Sequence, residues 1–125
     1  MLPLSTAVAV NGFVFLSGIA PVDQGQVVAP DDAPAQAAFA LRRMERVLAW
    51  KGMGLEDLTY VQLYLRTMAD YDAVNEVYAR MMPSPYPARK VIVTAFAREH
   101  VCMEINGIAV QGPKEHINLS EKTNY

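Results

Sequence analysis

Three features of the sequence predict an α+β fold: strand-type apolar alternation at both ends, two amphipathic helical stretches, and turn residues where these meet. The elements run β-β-β-α-β-α-β-β, a single domain in which a mixed sheet carries both helices on one face. Its 125 residues suffice for one ordinary core, and 52% apolar against 19% charged residues describes a chain that buries it. No repeat, linker or low-complexity segment interrupts the order.

"TAVAV" and "FVFLSG" flank Asn11-Gly12, a dipeptide that accepts φ > 0 at both positions and so predicts a two-residue hairpin. Gly25 and "QVV" (26–28) predict a third short strand. Asp31 or Asp32 can cap the first helix, with Pro34 in its first turn, where an amide has no helical partner. Ala37, Leu41, Met44 and Leu48 mark its buried face, and Arg42, Arg43 and Arg46 with Glu45 read as a solvated one. Gly52 and Gly54 end it. Residues 59–66 then alternate, Val61, Leu63 and Leu65 against Tyr60, Gln62 and Tyr64, as a strand with one apolar face. Asp70 opens a second helix with Tyr71, Val74, Tyr78 and Met81 on one side. A loop with prolines at 83, 85 and 87 leads into strand 90–96, and strand 101–110 follows, with a bulge expected at Asn106-Gly107.

Composition removes several classes of function. A formal charge of −2 without a basic stripe argues against a nucleic-acid partner. The lone Cys102 excludes an internal disulfide, and no Cys/His spacing suggests zinc. The apolar start lacks a positive n-region and is broken at Asn11-Gly12, unlike a signal peptide. No stretch reaches the roughly 18 apolar residues of a membrane helix. A cytoplasmic, soluble protein is expected.

Candidate chemistry is sparse. The glycines form neither GxGxxG nor a P-loop. His100 and His116 are isolated and read as surface or loop residues, and Cys102, within a strand, reads as a small buried hydrophobe. Two residues stand apart. Arg89 sits where the proline loop enters a strand, and Glu104 interrupts the apolar strand that follows, where an unpartnered glutamate is seldom buried. Paired as an antiparallel hairpin, the last two strands would bring Arg89 and Glu104 only approximately to one end of the sheet. On spacing alone, an edge ion pair or two solvated charges is the better reading of them than a site.

Three blocks carry a resemblance: "PLSTAVAVNGFVFLSGIAPVD", "AQAAFALRRMERVLAWKGMGLEDLTYVQLYLRTMADYDAVNEVY" and "PARKVIVTAFAREHVCMEINGIAV". Their order and the "PAR…EI…IA" pairing resemble the RidA/YjgF family of reactive enamine/imine deaminases. The likeness spans residues 1–110 and leaves residues 111–125 as a polar tail, expected to lie ordered against a neighbouring subunit. It implies a chorismate-mutase-like fold and a homotrimer whose sheets form a central barrel, with three sites in the clefts between subunits.

The resemblance also implies the roles. Arg89 matches the arginine that holds the substrate carboxylate, a task suited to a planar guanidinium fork that stays charged at any working pH. Glu104 matches the acidic residue beside the attacking water. Ser17, Gly18 and Asn75 match other cleft positions, and the Val91 N–H is a further donor to the carboxylate. The implied reaction is hydrolysis of a 2-imino acid, formed from an enamine such as 2-aminoacrylate, to a 2-keto acid and ammonium. It calls for no metal or organic cofactor. Leu4 departs from the family, standing in "PLSTAV" where deaminating members carry the tyrosine of "PYSQAV". An apolar wall there admits a bulkier substrate of the aminomuconate type. A trimer that binds keto acids without turning them over, and an endoribonuclease, are the rival readings; the acidic charge balance argues against the second.

Overall fold

The computed structural model describes residues 2–119. Strands β1 (Ala7–Val10) and β2 (Phe13–Ile19) join through Asn11 and Gly12 at φ 48° and 83°, the turn their dipeptide predicts. Gln24 and Gly25 also take positive φ and fold β3 (Val22–Asp23) onto β4 (Gln26–Val27). The third strand expected here is therefore one arm of a separate two-stranded ribbon, because the turn closes before the chain reaches the main sheet.

Helix α1 (Ala33–Ala49) begins at Asp32, whose carboxylate accepts the Ala35 N–H at 3.1 Å, and it buries Ala37, Ala40, Leu41, Met44 and Leu48. Asp31 has a different task. It sits at φ 61° with its two oxygens 2.7 Å from Arg66 and from His100 Nδ1. The hydrogen bond from Arg66, with help from His100, holds the Asp31 carboxyl below its usual range. His100 is thus not isolated; its partner lies far away in sequence, where spacing gives no hint. Arg43 also leaves the solvated face assigned to it. It donates to the Val22 carbonyl and, at 3.2 Å, to Asp23, and its guanidinium lies 4.5 Å over the Phe39 ring.

Strand β5 (Leu58–Leu65), helix α2 (Tyr71–Met81) and strand β6 (Ala88–Val93) form a β-α-β unit, so β6 runs parallel to β5. Strand β7 (Met103–Val110) lies between β2 and β5, antiparallel to both, and the order is β1-β2-β7-β5-β6. The last two strands therefore do not form a hairpin: β5 separates them. Burial explains the arrangement. Met103, Ile105 and Ala109 are wholly buried and need neighbours on both sides, whereas β6, with Arg89 and Lys90, suits an edge. Residues 94–102 cross the end of β5, where the Thr94 N–H donates to Leu65 at 3.0 Å and the Arg66 N–H to Cys102 at 2.9 Å. Gln36, fully buried, anchors this crossing by donating to the carbonyls of Val28, Ala29 and His100 and accepting the Cys102 N–H at 2.7 Å. Cys102 is buried, as expected, but it ends the crossing just before β7 rather than lying within a strand.

Bulges fall on β5, between Leu58 and Tyr60, and on β2. Leu16 pairs with Gly107 and Ile19 with Ile105, so Ser17 and Gly18 together oppose Asn106. Asn106-Gly107 is not the bulged stretch. Gly107 is needed because β5 approaches closely: a Cβ there would meet the Tyr60 carbonyl oxygen at 2.9 Å.

The two sheet faces differ sharply. One packs against α1 and α2 through Val14, Leu16, Val61, Leu63, Leu65, Met103 and Ile105. The other presents Val8, Val10, Phe13 and Phe15, each 40% or more exposed, beside the half-buried Tyr60, Gln62, Tyr64, Glu104 and Asn106. Among the described residues, no helix is long and apolar enough to cross a membrane. Residues 114–118 lie with Thr59, Tyr86, Pro87 and Ala88 around a cavity of about 240 Å³, so the described part of the tail runs back along its own chain. The remainder of the tail, 120–125, lies outside the described residues.

Candidate active site

Arg89 is placed by the loop before it. Within "SPYPAR", Tyr86 turns back to α2 and donates its hydroxyl to the Ala79 carbonyl at 3.0 Å, so the chain enters β6 at a set point. Arg89 pairs in register with Val61, whose side chain is buried on the helix side, and it projects toward α2. Its Nη2 donates to the Tyr71 hydroxyl at 3.3 Å, and the guanidinium lies 4.6 Å over the Tyr78 ring. With Asn75, Tyr78, Ala79, Tyr86 and Pro87 it lines an open cavity of about 250 Å³. Burial pushes the Tyr78 phenol up to about 12, so it stays neutral here.

Val91 follows on the same side of β6. The Thr94 N–H points to β5, and backbone directions alternate along a strand, so the N–H of Val91 points to the open edge.

Glu104 stands on the other face. It pairs across β5 with Tyr64 and lines a second cavity, about 360 Å³, with Gly18, Tyr64, Asn106 and residues 94–97. A Cβ at Gly18 would lie 3.1 Å from Glu104 Oε1, so the β2 bulge leaves room for the carboxylate. Burial raises the Glu104 pKa above its ordinary value. Alongside it, the Gln62 oxygen accepts from Tyr64 at 3.2 Å and from Asn106 at 3.1 Å, a polar cluster on this otherwise apolar face. Ser17 turns toward the N-terminal segment, donating its hydroxyl to the Ser5 carbonyl at 2.5 Å and its N–H to Thr6 at 3.0 Å. Leu4, next to this anchor, is 62% exposed and lines neither cavity within one chain.

The candidate residues thus form two groups, Arg89, Asn75 and Val91 on the helix side and Glu104 with Gly18 on the other. The sheet stands between them. Arg89 and Glu104 are two strands apart and three residues out of step, about 10 Å in each direction by strand geometry. Sequence reading passed over the residues that surround them. Tyr71 and Tyr78 were visible only as part of an apolar helix face, and Tyr86 as a loop residue. Tyr64 and Asn106 were visible only as outward positions of alternating strands.

A five-stranded mixed sheet with paired helices on one face, an arginine held on its edge strand and a carboxylate on the opposite face define an α+β protein with a cation and an acid on the two sides of one sheet. The profile of the family described as Endoribonuclease L-PSP matches residues 1–111, and the chain belongs to that family, the RidA/YjgF proteins. It is 34% identical over 108 residues to the 3-aminoacrylate deaminase RutC of Acinetobacter baylyi, covering 86% of each chain. The solved structure of a YjgF-family protein from Neisseria meningitidis matches with a TM-score of 0.79 at 31% identity, covering 91% of this chain and 92% of that one. TdcF of E. coli, solved with bound serine, matches with a TM-score of 0.81 at 26% identity, covering 90% and 91%.

Proposed function

We propose that the protein hydrolyses small enamine or imine carboxylates to the corresponding keto acid and ammonium. The observation that carries this reading is Arg89, a half-buried guanidinium at the mouth of a cavity, with no carboxylate at ion-pair distance among the described residues. Similarity to a 3-aminoacrylate deaminase supports it, as does the amino acid bound to TdcF. Arg89 grips the substrate carboxylate bidentately, with the Val91 N–H beside it and Asn75 across the cavity. Water attacks the protonated imine carbon, and Glu104 takes the water's proton. Glu104 returns that proton to the nitrogen of the resulting carbinolamine, and ammonia leaves as the C–N bond breaks and the C=O forms. The hydroxyl proton passes through Glu104 to the ammonia, giving ammonium and an ionised Glu104. No cofactor enters this scheme. A substrate already electrophilic needs chiefly to be held and given one directed water.

Because the sheet separates Arg89 from Glu104, this chemistry requires the two residues from different copies. We therefore read the site as a cleft between subunits of a homotrimer, with the apolar face of Val8, Val10, Phe13 and Phe15 covered by neighbours. Light scattering at micromolar concentration should give three times the chain mass. A clean monomer would sink both the trimer and the shared site. A cytoplasmic location belongs to the same reading.

Ammonium release from 2-iminopropionate and from 3-aminoacrylate, set against keto-acid binding by calorimetry, tests the activity. Binding without turnover would favour the regulatory trimer. The family description favours an endoribonuclease, and RNA cleavage is the check; the charge of −2 and the absence of a basic stripe weigh against it.

Leu4 bears on substrate size. A neighbour that covers Ser17 and Gly18 would enclose Leu4 as well, because the Ser5–Ser17 bond ties the segment down. Leu4→Tyr should then raise kcat/KM for 2-iminopropionate and lower it for a bulky imine of the aminomuconate type. Each change should be about 1–3 kcal/mol, the scale of one pocket contact. An unmoved ratio between the two substrates would remove Leu4 from the site and end the argument for a bulkier substrate.

A further inference from the structure

Arg89 is held by aromatic side chains of α2 to which the proposed chemistry gives no role. Its guanidinium carbon lies 4.6 Å from the Tyr78 ring centroid and 6.0 Å from that of Tyr71, whose hydroxyl accepts Nη2 at 3.3 Å. Tyr86 extends the stack, its ring centroid 6.5 Å from that of Tyr78 and its hydroxyl tied to α2. Tyr78 is only 5% exposed, and among the described residues its hydroxyl has no hydrogen-bond partner and no contact with solvent. An orphaned buried hydroxyl costs stability. Shut away from the cavity, it cannot reach a bound ligand, so the useful part of Tyr78 is the face of its ring.

We propose that Tyr78 and Tyr71 are positioning residues for Arg89, and that they make it a preformed carboxylate receptor. The Tyr78 ring sets the plane of the guanidinium by cation–π contact. The Tyr71 hydroxyl occupies one Nη2 hydrogen and fixes the rotation within that plane, leaving the other N–H donors free for a carboxylate. Aromatic partners do this without neutralising the charge, which an aspartate or glutamate in their place would do. Residues 71 and 78 are two helical turns apart, so one rigid helix carries both, and Tyr86 backs the stack from the proline loop. The inference rests on Arg89 being the carboxylate anchor.

The test uses the full chain, with 2-oxobutyrate as the calorimetric probe and 2-iminobutyrate as the substrate. Tyr78→Leu should weaken 2-oxobutyrate binding about tenfold, with unchanged stoichiometry. The loss should fall on KM with kcat nearly held, because a carboxylate anchor grips ground and transition states alike. Tyr78→Phe keeps the ring and discards only the orphaned hydroxyl, so it should bind as the parent does and melt no lower. Tyr71→Phe should weaken binding about threefold, the scale of one hydrogen bond. Parent-like affinity in Tyr78→Leu, or equal damage from Tyr78→Phe, would overturn the proposal. Should Tyr78→Leu fail to fold, the two phenylalanine variants decide, since only the one at position 71 should lose affinity. Arg89→Ala is run in parallel. Its failure to bind 2-oxobutyrate beside a fully competent Tyr78→Leu would sink the positioning role and leave the anchor standing, whereas parent-like binding by Arg89→Ala would sink the anchor.

Discussion

Arg89→Ala is expected to abolish binding of every carboxylate substrate, and with it turnover at ordinary substrate concentrations, while leaving a folded protein. The bidentate contact comprises two charge-assisted hydrogen bonds, each worth about 1.5–3 kcal/mol, so kcat/KM should fall at least a hundredfold. Removing the side chain uncovers the Tyr78 ring but strands no partner charge, because no carboxylate pairs with Arg89 among the described residues. The melting temperature should therefore change little. Arg89→Lys should recover little activity, since a point charge on a flexible stem reproduces neither the fork nor the stacking. The measurement is steady-state kinetics on 2-iminopropionate beside thermal melting of the same samples. Full activity in Arg89→Ala would move the site elsewhere, and unfolding would make Arg89 a structural residue.

Glu104→Gln is expected to slow turnover about 10²–10⁴-fold, the usual contribution of a positioned general base, while carboxylate binding at Arg89 persists. The pH dependence gives a second signature. Burial against Gly18 disfavours the Glu104 carboxylate and raises its pKa above the ordinary value. The base works in its ionised form, so kcat/KM should rise with pH through a pKa above that of a free glutamate, and Glu104→Gln should flatten that limb. Stability runs the opposite way. A raised folded-state pKa means that the folded protein binds the proton more tightly than the unfolded chain, so Glu104 destabilises the fold as pH climbs through that window. Above it, Glu104→Gln should melt higher than the parent, and well below it the two should converge. A variant equally active at all pH values would exclude Glu104 from proton transfer.

Much of the architecture was legible in the chain because it depends on local chemistry. Asn11-Gly12 accepts positive φ at both positions, so the first hairpin follows from two residues. Ala37, Leu41, Met44 and Leu48 recur with the helical period, and Val61, Leu63 and Leu65 with that of a strand; all seven are buried. The family was legible for a different reason, since the three motif blocks occur in one order along residues 1–111, the stretch that the family profile matches. Strand order was not legible. Adjacency in the chain suggested that strands 90–96 and 101–110 pair, yet β7 is buried along its core face and required neighbours on both sides.

The candidate site divides along the same line. The residue types were set by the sequence alone: an arginine after a proline loop, a glutamate inside an apolar strand, a serine and glycine near the end of the first hairpin. Where these residues stand is a property of the tertiary structure. Register on β5 decides that Arg89 faces α2 and Glu104 faces away, because side chains alternate at every residue and a single step would exchange the faces. The partners of Arg89 were equally hidden, for Tyr71 and Tyr78 read as apolar helix positions until α2 packed beside β6. Helical spacing can bring those two rings to one side of a helix. Only the packing of that helix against an edge strand can place a guanidinium over one of them.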